Sequence, residues 1–325
     1  LPFDPRLDRE QIILPPVLSF ASNHSETCAI LNEIREKGLI RRRPLMLHFA
    51  HVHAVEPAAT LVLVAEIHRL RSLLGVKAVS GTYPPSAEVY DLLTQMGFFN
   101  LINVHEPRAP TRVDDPDRPL FLRFLSSNRH DSMLTDGFVS IVETRVLALS
   151  EVARGRLVAA MNEAMQNTLD HAYQRVLPGI TMEGRWWIGA RVNVISKEVM
   201  ILLYDQGVGI PETLPLSLYL RIRSLAQGNV RFAGLTPVPS DGAMIMAATR
   251  LHASRMPGET RGKGFRDMQK FVQVCSDGEL RVLSNRGAYS YMREAEHFAD
   301  HERSIGGTLI EWRFQSDDPV ELKDD

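Results

Sequence analysis

Cysteine is nearly absent. The 325 residues hold two, Cys28 and Cys275, far apart and with no Cys or His at zinc-ligand spacing. A disulfide-stapled scaffold and a zinc ribbon are therefore excluded, and both residues read as buried free thiols in a reducing compartment. No apolar run approaches the ~20 residues that a membrane-spanning helix needs. The opening LPFDPRLDRE lacks the charged-then-apolar pattern of a secretory signal and begins with Leu1 rather than Met, as a trimmed or cleaved chain would. The expected location is cytoplasmic. Charge of one sign is lacking too: 37 Lys and Arg face 39 Asp and Glu, for a net charge of −2. Coating nucleic acid needs a basic surface that displaces counterions, so the balance argues against that as the main function. There is no internal repeat and no low-complexity tract.

What is present is an ordinary globular composition, 44% hydrophobic and 23% charged. At roughly 150 residues per domain the length predicts two domains. The clearest break is His105 to Pro119, HEPRAPTRVDDPDRP, whose four prolines can continue neither a helix nor a central strand. This places a first domain at 1–105, a proline-rich linker at 106–119 and a second domain at 120–325.

The first domain alternates strand-like and helix-like pieces. Gln11 to Phe20 is an apolar opening. Ser25 to Lys37 has helical spacing with Gly38 as a stop, Pro44 to Val52 is strand-like, and Pro57 to Leu74 reads as a helix with Pro57 in its first turn. Val76 to Ser80 is a short apolar run, and Ser86 to Met96 a helix ended by Gly97. Such alternation predicts α/β architecture with a mostly parallel sheet flanked by helices. In the second domain, Leu120 to Leu125 is a strand candidate and Ser150 an N-cap for a long helix. Arg185 to Ile195 and Glu198 to Tyr204 read as a hairpin joined by Ser196 and Lys197. Helical pieces near Ser217 to Ala226, Asp241 to Ala253 and Phe265 to Val274, and strands near Glu279 to Ser284 and Thr308 to Phe314, complete it.

Three pieces of the second domain carry chemistry when read together. In MNEAMQNTLDHAY, Glu163, Asn167 and His171 recur every fourth residue, which puts them on one helix face. A polar stripe is usually a solvated face, but this one is bordered by Ala160, Ala164 and Leu169. In YDQGVGIPE, Asp205 ends the apolar strand MILLYD. A carboxylate leaving a buried strand needs a donor, and an adenine amino group is a suitable one. Gly207 and Gly209 would let the backbone approach a ligand and turn away; the alternative is a simple turn after a strand. In RGKGF, Gly262 and Gly264 with Arg261 and Lys263 open onto a helix N-terminus, a cradle for phosphate. The spacing is not that of a P-loop.

These three pieces, with Thr308 in GGTLIEW, resemble the motifs of the GHKL or Bergerat-fold ATPases. That group includes histidine-kinase catalytic domains, anti-sigma-factor serine kinases, type II topoisomerases and mismatch-repair ATPases. The resemblance covers about Leu120 to Phe314 and implies an α+β sandwich, a mixed sheet packed on helices. It implies that Asn167 holds Mg2+, that Glu163 orients or deprotonates the attacking group, and that Asp205 accepts from adenine with help from Thr308. Gly207 and Gly209 would shape the base pocket, and Gly262 and Gly264 would let a lid, about 210–261, close on the phosphates with Arg261 and Lys263 as charge partners. His171 either supports these ligands or is a core histidine.

The box NEAMQNTLDHAY looks most like that of the anti-sigma-factor serine kinases, although the stretch from Asp205 to Gly262 is longer than a minimal member has. His130 in NRHDSMLTD superficially resembles the phosphoacceptor box of a histidine kinase, but it lies too close to the Glu163 helix for a dimerisation hairpin. The first domain resembles a STAS domain in its strand, turn and helix order. The serine usually phosphorylated there is missing from the stretch Glu56, Pro57, Ala58, Ala59, and Thr60 is the nearest hydroxyl, so a structural or docking role is expected. His48, His51 and His53 in LHFAHVH are a weaker signal for a metal, with Glu56 the only further ligand.

The resulting expectation is a bacterial, Mg2+ and ATP-binding switch that hydrolyses ATP and controls contact with a protein partner or a second copy. Phosphorylation of a STAS-domain partner on Ser or Thr is the first alternative. A non-catalytic ATP-binding adaptor is the second.

Overall fold

A computed structural model describes residues 8–101, 119–130, 132–145, 149–173, 184–214, 216–217, 219–220, 239–250, 263–275, 277–292 and 295–315. The expected linker falls almost wholly outside these residues, as does most of the expected helix at Ser217 to Ala226. The protein is mixed α/β. It divides into two compact units: Leu1–Ser126 with Val176–Met182 and Trp187–Arg191, and Ser127–Arg175 with Glu183–Trp186 and Val192–Asp325. Of the described residues, 8–101 and 119–126 thus group with the first unit. Among the described residues no helix is long and apolar enough to cross a membrane.

In the first unit, β1 (Glu10–Ile13), β3 (Leu45–His48) and β5 (Val79–Gly81) form a parallel sheet in that order. Ile12 lies opposite Leu47, and Leu47 opposite Gly81. A second parallel pair joins β2 (Val17–Leu18) to β4 (Ala54–Val55). The helices are α1 (His24–Ile34), α2 (Pro57–Leu74), α3 (Ala87–Gln95) and α4 (Phe98–Leu101). Leu61, Val62, Leu63 and Val64 are consecutive and all buried, so α2 is enclosed on every side rather than amphipathic. Most of β6 (Leu120–Ser127) and most of β7 (Trp186–Asn193) belong to the same unit, where the two strands are neighbours. A Cβ on Gly189 would stand 2.3 Å from the Phe124 ring, so that glycine admits the aromatic side chain.

Gly38 does not end the first helix as its sequence position suggests. A wider, π-helical turn, Arg35–Ile40, continues through it. A Cβ there would sit 2.9 Å from methyl carbons of both Leu45 and Leu70, so the glycine serves close packing instead of a left-handed stop.

Within the apolar surroundings of α2 lies an ion triad. Arg35 Nε donates to Glu66 Oε1 at 2.7 Å and Arg69 Nη2 donates to Oε2. Burial pushes the Glu66 carboxyl up, and the two guanidiniums together outweigh it, leaving its pKa below the ordinary value.

The second unit contains α5 (Ser132–Arg145), α6 (Glu151–Asn167), β8 (Glu198–Asp205), α7 (Ile210–Thr213), α8 (Asp241–Arg250) and α9 (Lys263–Gln273). The strands β9 (Glu279–Ser284), β10 (Gly287–Met292), β11 (Ala295–Asp300) and β12 (Thr308–Gln315) follow. The sheet runs β11-β10-β9-β12-β8, and each pairing in this run is antiparallel. β12 lies between β9 and β8, so both its edges are paired, and residues 308–312 are buried; Phe314 meets Phe271 of α9 edge-on at 4.9 Å. Helices α6 and α9 pack against each other.

The β7–β8 connection is longer than expected, Val194 to Lys197 instead of two residues. Asn193 Oδ1 accepts from the backbone N–H of Ile195 and Ser196, both at 3.0 Å, and Lys197 takes φ 55°. The β10–β11 hairpin is additional to the strands expected. AEHFAD has few β-branched residues and is mostly exposed, so it lacks the alternation that marks a strand.

Glu66→Gln should lower the unfolding free energy in urea by about 3 kcal/mol, because two largely buried guanidiniums lose their counter-charge. A loss under about 1 kcal/mol would show that the triad is dispensable.

Candidate functional site

The helix α6 begins as its sequence dictates. Ser150 Oγ accepts from Ala153 N–H at 3.1 Å, and Glu151 lies in the first turn, near the positive end of the helix dipole. Leu157, Ala160, Met161, Ala164 and Met165 are buried, while Glu163 and Asn167 are half-buried on an adjoining face. After Asn167 the helix widens into a π-helical turn, Thr168–Ala172. Each residue there advances less around the axis, so His171 leaves the row shared by Glu163 and Asn167.

That wider turn meets the end of β8. Asp205 is only 5% exposed. Its Oδ1 accepts from Gly207 N–H at 2.8 Å, and Thr168 Oγ1 lies 3.5 Å from its Oδ2. Thr308 stands directly opposite Asp205 on β12, and its backbone N–H also favours the ionised carboxyl. Burial dominates over these neutral donors and raises the Asp205 pKa from 3.8 to about 7.

The two glycines that follow have distinct reasons. A Cβ on Gly207 would stand 2.4 Å from both Cβ and the carbonyl oxygen of Ala172, so the close approach it permits is to the chain's own α6 extension. The Val208 N–H then donates to that same Ala172 carbonyl at 2.8 Å. Gly209 has φ 88°, a left-handed value suited to glycine, and Asn285 Nδ2 secures the turn by donating to Val208 O at 2.9 Å.

Ser284 belongs to this cluster, although its sequence context, the end of an apolar strand, marks it only as a strand terminus. It is fully buried, faces Thr308 across β9 and β12, and its Oγ lies 2.9 Å from Thr308 Oγ1. It also accepts from Ile210 N–H at 2.9 Å. Tyr173 closes the other side: its hydroxyl accepts from Gln206 N–H at 3.0 Å and donates to Arg185 O at 2.6 Å.

The structure therefore brings together Asp205, Gly207, Gly209 and Thr308 with Thr168, the neighbour of Asn167. Glu163 lies one helical turn before Asn167. Lys263 and Gly264 open α9, the helix packed on α6. Arg261 and Gly262 lie outside the described residues. His130 is exposed, between β6 and α5.

In the first unit the structure separates His51 and His53 from the strand expected to carry them, and it buries Thr60. His51 and His53 are exposed and follow β3 instead of continuing it, and no group of three or more His, Cys, Asp or Glu able to hold a metal occurs among the described residues. Thr60 is fully buried and donates to Glu56 O at 2.9 Å. Glu56 itself accepts from Ser19 Oγ at 2.7 Å and from Phe20 N–H at 2.9 Å, joining the start of α2 to the loop before α1.

A scan against protein-family models finds no match to the chain, and a search of curated proteins finds none either.

Because the Asp205 pKa is raised from 3.8 to about 7, its contribution to stability is full below about pH 3.8 and is lost as the pH rises through about 7. Asp205→Asn removes the buried anion. Its melting temperature relative to the wild type should therefore rise between pH 5.5 and pH 8.5. A difference independent of pH would contradict the assignment.

Proposed function

We propose that the second unit binds Mg2+-ATP in the manner of a GHKL ATPase and works as a nucleotide-dependent switch for a protein partner or a second copy of the chain. The observation that carries the reading is Asp205. A carboxyl is buried at a strand end, neutral donors surround it, and no charged side chain among the described residues acts on it. A structural carboxylate in such a place is normally paired with a cation, so this one is suited to an incoming donor such as the 6-amino group of adenine.

The residues around it fit a phosphate-bearing ligand. Asn167 offers a neutral, hard amide oxygen, the kind of ligand that Mg2+ accepts when phosphates and water complete its shell. The ion would offset phosphate charge when bound. Glu163, half-buried one turn away, would orient or deprotonate the attacking water. The start of α9 at Lys263 would present backbone N–H groups to phosphate, with Arg261, Gly262 and Gly264 completing that end. Thr308 would assist Asp205 at the base. His171 would support the site from beside this row.

The first unit serves, on this reading, as a docking or structural module of STAS type. Its nearest hydroxyl to the expected phosphorylation point, Thr60, is buried and engaged. The output is accordingly ATP hydrolysis coupled to a partner, in place of phosphorylation within the chain.

Calorimetric titration with ATP and Mg2+ tests both halves. Asp205→Asn should weaken ATP binding by at least about tenfold, as loss of a charge-assisted hydrogen bond requires. Glu163→Ala should keep binding within a few-fold while phosphate release falls by about 100-fold or more. Unchanged ATP affinity after Asp205→Asn, or no binding by the intact chain, would overturn the proposal.

A further inference from the structure

We propose that Thr168 is the positioning residue for Asp205, holding the carboxylate oxygen that reads the base and tying base recognition to the helix that carries Glu163 and Asn167; this rests on the nucleotide reading above. The two Asp205 oxygens are not equivalent. Oδ1 is engaged by Gly207 N–H at 2.8 Å. Oδ2, with the longer 3.5 Å contact to Thr168 Oγ1, keeps more capacity to accept from a ligand. The oxygen best able to meet an amino group is thus the one beside Thr168.

Thr168 is 1% exposed, and its hydroxyl has one proton and two nearby acceptors. Ala164 O lies at 3.1 Å and Asp205 Oδ2 at 3.5 Å. Donation to Asp205 fixes Oδ2 and favours the ionised carboxylate, the form that accepts from an amino group. Donation to Ala164 O instead turns the hydroxyl lone pairs toward Asp205, which suits a protonated carboxyl. Rotation of one buried hydroxyl therefore follows the state of Asp205.

The same residue directly follows Asn167 and begins the π-helical turn. At the far end of that turn Ala172 O accepts from Val208 N–H at 2.8 Å. Two contacts, one at each end of a five-residue turn, thus join the end of α6 to Asp205 of β8 and to Val208 in the segment that follows it. A shift of Asp205 toward a base would be felt one residue from Asn167. Valine at 168 would keep the shape and remove the hydroxyl. The titratable and charged groups on the surrounding elements include Glu163, Asp170, His171 and Tyr173 around the end of α6, Glu198 and Tyr204 on β8, Glu212 on α7, Glu279 and Arg281 on β9, and Glu311 and Arg313 on β12. None of them is among the groups that act on the Asp205 carboxyl.

The test compares wild type, Thr168→Val and Thr168→Ser, each checked for folding by thermal melting. The ligands are ADP and purine riboside 5′-diphosphate, which lacks the 6-amino group. Thr168→Val should weaken ADP by about fivefold, the worth of one net hydrogen bond, and leave the amine-free analogue within about twofold. Thr168→Ser should restore ADP to within about twofold of wild type. Equal weakening of both ligands, or of neither, would overturn the proposal. A ligand-free arm follows the Asp205 carboxyl by 13C NMR. Its titration midpoint should rise in Thr168→Val and return in Thr168→Ser, and an unmoved midpoint would overturn the link between the two residues. If the wild type binds neither nucleotide while the midpoint moves, the nucleotide reading falls and the Thr168–Asp205 link stands.

Discussion

The cost of burying the Asp205 carboxyl governs the second unit. β8 delivers this residue to the end of an apolar strand, where ionisation is disfavoured and, among the described residues, only neutral groups reach it. Its surroundings are arranged to tolerate that placement. Thr308 stands in register beside it, Ser284 holds the Thr308 hydroxyl, and Gly207 turns its own N–H back to Oδ1. The turn that follows is possible because Gly207 leaves room for Ala172, and because Gly209 takes a left-handed conformation next to Asn285.

A buried carboxyl in the first unit meets the same cost in a different way. Glu66 sits between Arg35 and Arg69, and their charges keep its pKa below the ordinary carboxylate value despite burial. The paired group ties α2 to the end of α1, and its charge is fully answered within the fold. Asp205, surrounded by neutral donors, has an unused capacity to accept. The contrast directs the functional reading to one carboxyl and not to the other.

Much of this was legible from sequence where one local rule decides the outcome. Pro57 marks the start of α2, Ser150 caps α6, and MILLYD can only be a buried strand ending in an acid. What was not legible depends on distant partners. Gly38 looks like a helix stop, and its role becomes clear only when Leu45 and Leu70 close over it. Glu66 appears as a charge within an apolar helix until Arg35 arrives from another one. The widening of the helix after Asn167, which removes His171 from its expected row, has no signature in NEAMQNTLDHAY. Ser284 ends an apolar strand, and Thr168 follows Asn167 in a polar stretch; both are small hydroxyl residues with no motif of their own. Their place beside Thr308 and Asp205 follows from strand register and from the π-helical turn, neither of which a linear pattern reports.

The central claim is that the Asp205 carboxyl receives the amino edge of a purine while the helix beginning at Lys263 faces the phosphates. A crystal structure of the intact chain with Mg2+ and a non-hydrolysable ATP analogue tests it most directly. The expected result is adenine N6 within hydrogen-bond distance of Asp205 Oδ2, with Mg2+ bound by Asn167 Oδ1. Nucleotide bound elsewhere, or an adenine ring whose amino group faces away from Asp205, would contradict it.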